Sequence, residues 1–184
     1  MQYFSFTTTT VKSFILTSIV VALAGAALAM PQATSAYSTT AQSVTKLTDN
    51  TFLFQVTYRF NFLNRDMRTP VLATRGSAMI PAAQHLQYSL RDAAGAVLTT
   101  GASAAIVLSD AVVQDKQYFV PERTPTHFTL FSIVQLSAAE VAAGGESSLQ
   151  IDQLPFTLIA DDVEIAATVP AEDIGTHRTP AITW

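Results

Sequence analysis

The stretch Thr51-Phe52-Leu53-Phe54-Gln55-Val56-Thr57-Tyr58-Arg59-Phe60-Asn61-Phe62-Leu63 decides the fold class. Phe52, Phe54, Val56, Tyr58, Phe60 and Phe62 recur at every second position, with Thr51, Gln55, Thr57, Arg59 and Asn61 between them. A helix returns a side chain to the same face after about 3.6 residues and a strand after two, so this pattern describes a long strand with one buried face. Thr126 to Leu136 repeats the signal: Phe128, Leu130, Val134 and Leu136 share one side, His127, Thr129 and Gln135 the other. Phe131 and Ile133 make its second side apolar too, which predicts a central strand covered on both faces.

Shorter runs punctuated by turn residues surround these two. Gln87 to Arg91 and Ala96 to Thr100 flank Asp92-Ala93-Ala94-Gly95, a hairpin whose loop closes with a positive φ at Gly95. Ala104 to Leu108, Gln117 to Val120, Ser147 to Leu154, Phe156 to Ile159 and Val163 to Val169 read as further strands, with Pro121 and Pro125 bounding a loop. Ser137 and Glu140 have capping-box spacing ahead of Val141-Ala142-Ala143 and the stop Gly144-Gly145, enough for one or two helical turns. Roughly eight to ten short strands with almost no helix describe an all-β sandwich or barrel. Period and composition place one β-sandwich domain over residues 44–170, followed by a polar C-terminal tail over 171–184.

The other end of the sequence bears on location. Lys12, the apolar run Phe14 to Leu28 and the small residues of Ala27-Leu28-Ala29 have the order of a secretory signal peptide. The expected leader is 1–29, with an alternative end at 36. The rival is a retained anchor, but a bilayer span needs about 18 to 20 unbroken apolar residues, and Ser13, Thr17, Ser18 and Gly25 interrupt this run. Residues 30–43, rich in Ser, Thr, Ala and Gln, read as a flexible polar spacer. The protein is expected to be secreted or held in the cell envelope or at the cell surface, with no stable transmembrane span once the leader is gone.

Without Lys12, nine basic residues stand against fourteen acidic ones. That balance disfavours nucleic acid, whose phosphates bind clustered Lys and Arg. The chain has no cysteine, although small exported domains often rely on disulfides; roughly 150 residues suffice to bury a core without them.

Ala105-Ile106-Val107-Leu108-Ser109-Asp110, Gln117-Tyr118-Phe119-Val120-Pro121, Thr126-His127-Phe128-Thr129-Leu130-Phe131 and Ser148 to Phe156 resemble a layout of immunoglobulin-like modules in bacterial secreted and cell-surface proteins. There a Y-x-V-P turn leads into an F-T-L strand and a later strand closes the sheet. The likeness covers about a third of the chain. It implies an immunoglobulin-like β-sandwich that works as spacer, adhesive domain or assembly subunit, and it implies no catalytic residue. The Cys pair and core Trp of antibody-type domains are absent.

Candidate chemistry is sparse. Ser43 and Lys46 have S-x-x-K spacing, but they sit in a strand-like lead and neither S-D-N nor K-T-G follows. His85, His127 and His177 accompany no G-x-S-x-G elbow, and no H-x-H or H-E-x-x-H spacing suggests zinc. Asp161, Asp162 and Glu164 are the carboxylates best spaced for calcium, against the plainer reading of solvated turn acids. Leu154-Pro155-Phe156-Thr157 imitates the front of a sortase signal and reads better as a buried strand bend. No catalytic residue, cofactor or metal site is expected.

Three functions follow. The first is an exported, non-catalytic structural or binding subunit that meets a protein or glycan at the cell surface or assembles with itself, strand addition through the spacer being one route. The second is a carbohydrate-binding module or loop-sited envelope enzyme, with Tyr118 and Trp184 as ligand platforms. The third is a small outer-membrane barrel with the Phe52 to Phe62 row facing lipid.

Overall fold

The computed structural model describes residues 37–60, 64–76, 85–161, 163–169 and 177–184. The expected leader, residues 30–36 of the spacer, Asn61 to Leu63, Asp162 and residues 170–176 lie outside the described residues. In chain order the strands are β1 (Tyr37–Thr48), β2 (Thr51–Phe60), β3 (Asp66–Pro70), β4 (Ala73–Arg75), β5 (Leu86–Arg91), β6 (Val97–Leu98), β7 (Ala102–Ser109), β8 (Val112–Gln114), β9 (Gln117–Val120), β10 (Thr126–Gln135), β11 (Glu146–Gln153), β12 (Pro155–Ala160), β13 (Val163–Thr168) and β14 (Ile182–Thr183). One helix, α1 (Ala138–Ala143), links β10 to β11. The protein is therefore all-β, and every strand pair is antiparallel except β4 with β5.

The first sheet has the order β1-β2-β10-β7. Burial alternates without a break along β2: Phe52, Phe54, Val56, Tyr58 and Phe60 are buried and the residues between them are not. Register carries that alternation across the sheet, where Val56, Leu130 and Val107 stand side by side and all are buried. Tyr58 stacks on its cross-strand partner Phe128 with ring centres 5.5 Å apart. Full burial of such side chains contributes about 1.5–3 kcal/mol each, so this inward row is the main source of cohesion.

Two further sheets, β14-β11-β5-β4 with β6 beside β5, and β13-β12-β3-β9-β8, complete the strand set. Their buried residues include Tyr88, Leu90, Leu149, Ile151, Met67, Tyr118 and Phe156. Ring contacts join the sheets in a sandwich-like arrangement: Phe128 meets Tyr118 at 5.6 Å, Phe60 meets Phe156 at 5.9 Å and Phe52 meets Trp184 at 6.0 Å. The aromatic row thus packs against the chain's own side chains.

Local chemistry sets the connections. Gly95 takes φ +85° and closes the β5–β6 turn, as the hairpin reading predicts. Ser137 and Glu140 form the full capping box of α1, Ser137 Oγ accepting from Glu140 N and Glu140 Oε2 accepting from Ser137 N at 2.7 Å. Glu140 Oε1 also accepts from Gly101 N at 2.8 Å. Arg75 donates to the carbonyls of Leu98, Thr100 and Gly101, so β4 and α1 grip the same turn from two sides.

Three expectations are corrected. Residues 37–43 are not spacer but part of β1, paired to β2 through partners such as Gln42 with Val56 and Val44 with Phe54. Their Ser and Thr content hides a strand held by backbone bonds along an edge. Residues 177–184 are not a loose tail: they run along β11, with His177 and Thr179 buried. Finally, β10 is central in its sheet but covered on one face only, since Ile133 is 47% exposed.

Candidate functional site

That uncovered face is the most unusual surface among the described residues. On β7 the outward residues are Ala102, Ala104, Ile106 and Leu108, on β10 Thr129, Phe131 and Ile133, and on β2 Leu53, Gln55 and Thr57. Register aligns them in rows: Leu108 beside Thr129 and Thr57, Ile106 beside Phe131 and Gln55, Ala104 beside Ile133 and Leu53. Ile106 is 52% exposed and Leu108 49%. The opposite faces of these strands carry the core, so the sheet is apolar on both sides.

The stripe carries no charge. Two of its polar members meet, Thr57 Oγ1 and Thr129 Oγ1 lying 3.0 Å apart. Charge returns at one end, where Arg59 pairs in register with the exposed His127. An antiparallel sheet facing water normally alternates apolar inside with polar outside. Here three branched aliphatics about half exposed break that rule on adjacent strands, and a surface of this kind suits contact with another apolar face.

The sequence-predicted residues do not converge. Glu164 is committed to Arg68, whose Nη1 donates to its Oε1 at 2.7 Å. Asp161 sits exposed in the turn between β12 and β13 with φ +48°, and Asp162 lies outside the described residues. A shallow polar hollow of about 460 Å³ beside it has Arg65, Asp66, Glu122 and Asp161 on its rim. Among the described residues no group of three or more His, Cys, Asp or Glu could hold a metal ion.

Tyr118 is a core residue, 6% exposed, its hydroxyl donating to Val107 O at 2.9 Å and its ring set edge-on to Phe128. Burial raises the pKa of that hydroxyl, partly offset by the backbone of Ser109. Trp184 is half-buried, with Gly145 against one part of its indole and Phe52 6.0 Å away. The Tyr118 ring is therefore taken up by the core, while Trp184 keeps part of its surface open.

The remaining polar candidates are scattered. Ser43 and Lys46 lie on strand β1, where residues three apart do not face one another, and Lys46 pairs with Asp49 at 3.0 Å. His85 Nδ1 is 2.6 Å from Thr74 Oγ1, His127 is exposed on β10, and His177 is buried 5.9 Å from the Tyr58 ring. Tyr58 has no hydrogen-bond partner for its buried hydroxyl among the described residues, and burial, reinforced by nearby Tyr118, holds its pKa far above the ordinary value.

Sequence reading missed the stripe for a definite reason. Phe131 and Ile133 signalled an apolar second face, but that signal is the same whether another layer covers the face or not. No helix among the described residues is long and apolar enough to cross a membrane. Compared with known proteins, the chain matches no protein-family model and no curated protein.

Proposed function

We propose that the protein is an exported, non-catalytic subunit of immunoglobulin-like β-sandwich type, acting at the bacterial cell surface or outside the cell by contact with another protein. The observation that carries this reading is the uncharged stripe of Leu108, Ile106, Phe131, Ile133 and Leu53 on the outward face of the β1-β2-β10-β7 sheet. Removing a half-exposed aliphatic side chain from water gains free energy without any specific chemistry. A protein face fits such a stripe better than a glycan does, because sugars are gripped by polar groups and open aromatic rings, and the stripe offers mainly branched aliphatics, with Phe131, its one aromatic ring, partly covered. The order Lys12, Phe14 to Leu28, Ala27-Leu28-Ala29 supports export.

Cell fractionation with mass spectrometry of the N-terminus tests the export half. The expected product begins at Met30 or Tyr37 in the envelope or medium; an unprocessed cytoplasmic chain overturns it. The contact half is read with Ile106→Lys/Ile133→Lys. This double variant should keep its far-ultraviolet circular dichroism and lose about tenfold in surface retention, the equivalent of about 1.4 kcal/mol. Unchanged retention removes the stripe as the contact.

A further inference from the structure

Where β4 runs parallel to β5, a hydroxyl, an imidazole and a carboxamide come together. Thr74 and Gln87 are register partners, so their side chains share a face. Leu86, Tyr88 and Leu90 of β5 are buried in the core, which places Gln87 on the opposite face of that strand. Thr74 Oγ1 lies 2.6 Å from His85 Nδ1, and this contact brings the imidazole to the same face. Neighbouring strands stand about 4.8 Å apart, so the three side chains are within reach of one another.

A hydroxyl hydrogen-bonded to an imidazole nitrogen is the arrangement that turns Ser or Thr into a nucleophile. With the ring proton on Nε2, His85 Nδ1 accepts from Thr74 and can take its proton as Oγ1 attacks. The electrophile at hand is Gln87. It is 8% exposed, and among the described residues no hydrogen bond engages its carboxamide. Buried amides ordinarily have partners; one left unengaged beside an activated hydroxyl is open to attack, and its burial keeps bulk water from competing.

We infer that Thr74 and Gln87 become joined by an ester once the chain has folded. Thr74 Oγ1 bonds to Gln87 Cδ while His85 Nδ1 receives the hydroxyl proton and returns it to Gln87 Nε2; the Cδ–Nε2 bond then breaks and ammonia leaves. Nothing is oxidised or reduced, and no co-reactant is needed. Groups fixed in contact react with effective molarities of about 10⁵–10⁸ M, the advantage that an amide electrophile requires. The ester ties β4, three residues long, to β5. In a chain with no cysteine, it serves as the covalent link that a disulfide supplies elsewhere. The step occurs once per molecule and is independent of the sheet-face contact.

Mass spectrometry of the purified full-length protein tests it. After denaturation and tryptic digestion, Thr74 falls in the peptide 69–75 and Gln87 in the peptide 76–91. The expected species is the two peptides joined, lighter than their sum by one ammonia, with fragmentation placing the link between Thr74 and Gln87. Hydroxylamine should cleave it, leaving peptide 69–75 at its unmodified mass and a hydroxamate at Gln87. Thr74→Val and His85→Asn should fold, by circular dichroism, and give the peptides separately. Parent peptides that run apart at full mass overturn the proposal, as does a link that persists in Thr74→Val. Should a variant fail to fold, the parent digest decides alone.

Discussion

Trp184 lies so close over Gly145 that a Cβ built at position 145 falls 2.7 Å from the indole Cζ2 and 3.0 Å from Cε2. Contacts that short do not occur at real Cβ atoms, so Gly145→Ala must displace the ring. The indole is rigid and partly packed toward Phe52, which leaves little room to yield. Urea unfolding should show a loss of about 1–3 kcal/mol, the usual range for overpacking. Gly95→Ala provides the contrast, with nothing within 4 Å but a φ of +85°; its loss, about 1 kcal/mol, arises from the backbone alone. Equal stability of Gly145→Ala and the parent would show that Trp184 does not hold this position in solution.

Two buried tyrosines should respond oppositely to loss of their hydroxyls. The Tyr58 hydroxyl has no partner among the described residues, whereas that of Tyr118 donates to Val107 O. A buried polar group without a partner forfeits its hydration, so Tyr58→Phe should stabilise by about 1 kcal/mol. Tyr118→Phe strands a carbonyl and should cost about 1 kcal/mol. Chemical denaturation of both variants decides it, and a destabilised Tyr58→Phe would mean that its hydroxyl is bonded.

The β8–β9 hairpin turns through Asp115 and Lys116, both with positive φ, between the paired Gln114 and Gln117. Two-residue hairpin loops of this hand favour glycine at their second position because a Cβ there crowds the following carbonyl. Lys116→Gly should raise stability by roughly 0.5–1 kcal/mol, while Lys116→Ala, which keeps the Cβ, should gain nothing. Thermal melts of the pair test this, and an equal gain for alanine would place the benefit in the lost charge.

Glu140 gives the fold a pH dependence. Its carboxylate accepts from Ser137 N and Gly101 N, with Arg75 close by, and these hold its pKa below the ordinary 4.5. A folded-state pKa lower than the unfolded one adds stability that is full above the unfolded value and disappears as pH falls through the folded value. The parent should therefore exceed Glu140→Gln in urea midpoint at pH 7, and the gap should close in acid well below pH 4.5. A gap that persists at pH 2.5 would assign the effect to shape, not charge.

Much of this architecture was legible because burial and period coincide. The inward side of β2 follows the Phe52 to Phe60 alternation, β9 spans the expected Gln117 to Val120, and Ser137 with Glu140 form the capping box that their spacing predicts. What stayed hidden lacked a hydrophobic signature. β1 is mostly Ser, Thr and Ala, and it is a strand because β2 offers a long edge to pair with. His177, Thr179 and Trp184 looked like tail residues because too few apolar side chains mark their alternation; their burial comes from the β11 edge and from Gly145, both distant in the concept of a local pattern though not in the sheet. The outward stripe was half legible, since a sequence records that Phe131 and Ile133 are apolar but not whether another layer lies over them.

The insertion of β10 between β2 and β7 has a consequence for how the chain answers to a protease. Residues 121–125 are all exposed, and Arg123, at φ +57°, stands on that loop just before β10. Trypsin should nick there early, whereas Arg75 and Arg178 are held by hydrogen bonds to carbonyl and hydroxyl oxygens. The cut separates β10 in covalent terms from both of its neighbours, yet ten residue pairs with β2 and eight with β7 still clamp it from either side. Two fragments should therefore migrate together under native conditions and part only in denaturant, leaving a severed chain that keeps its form.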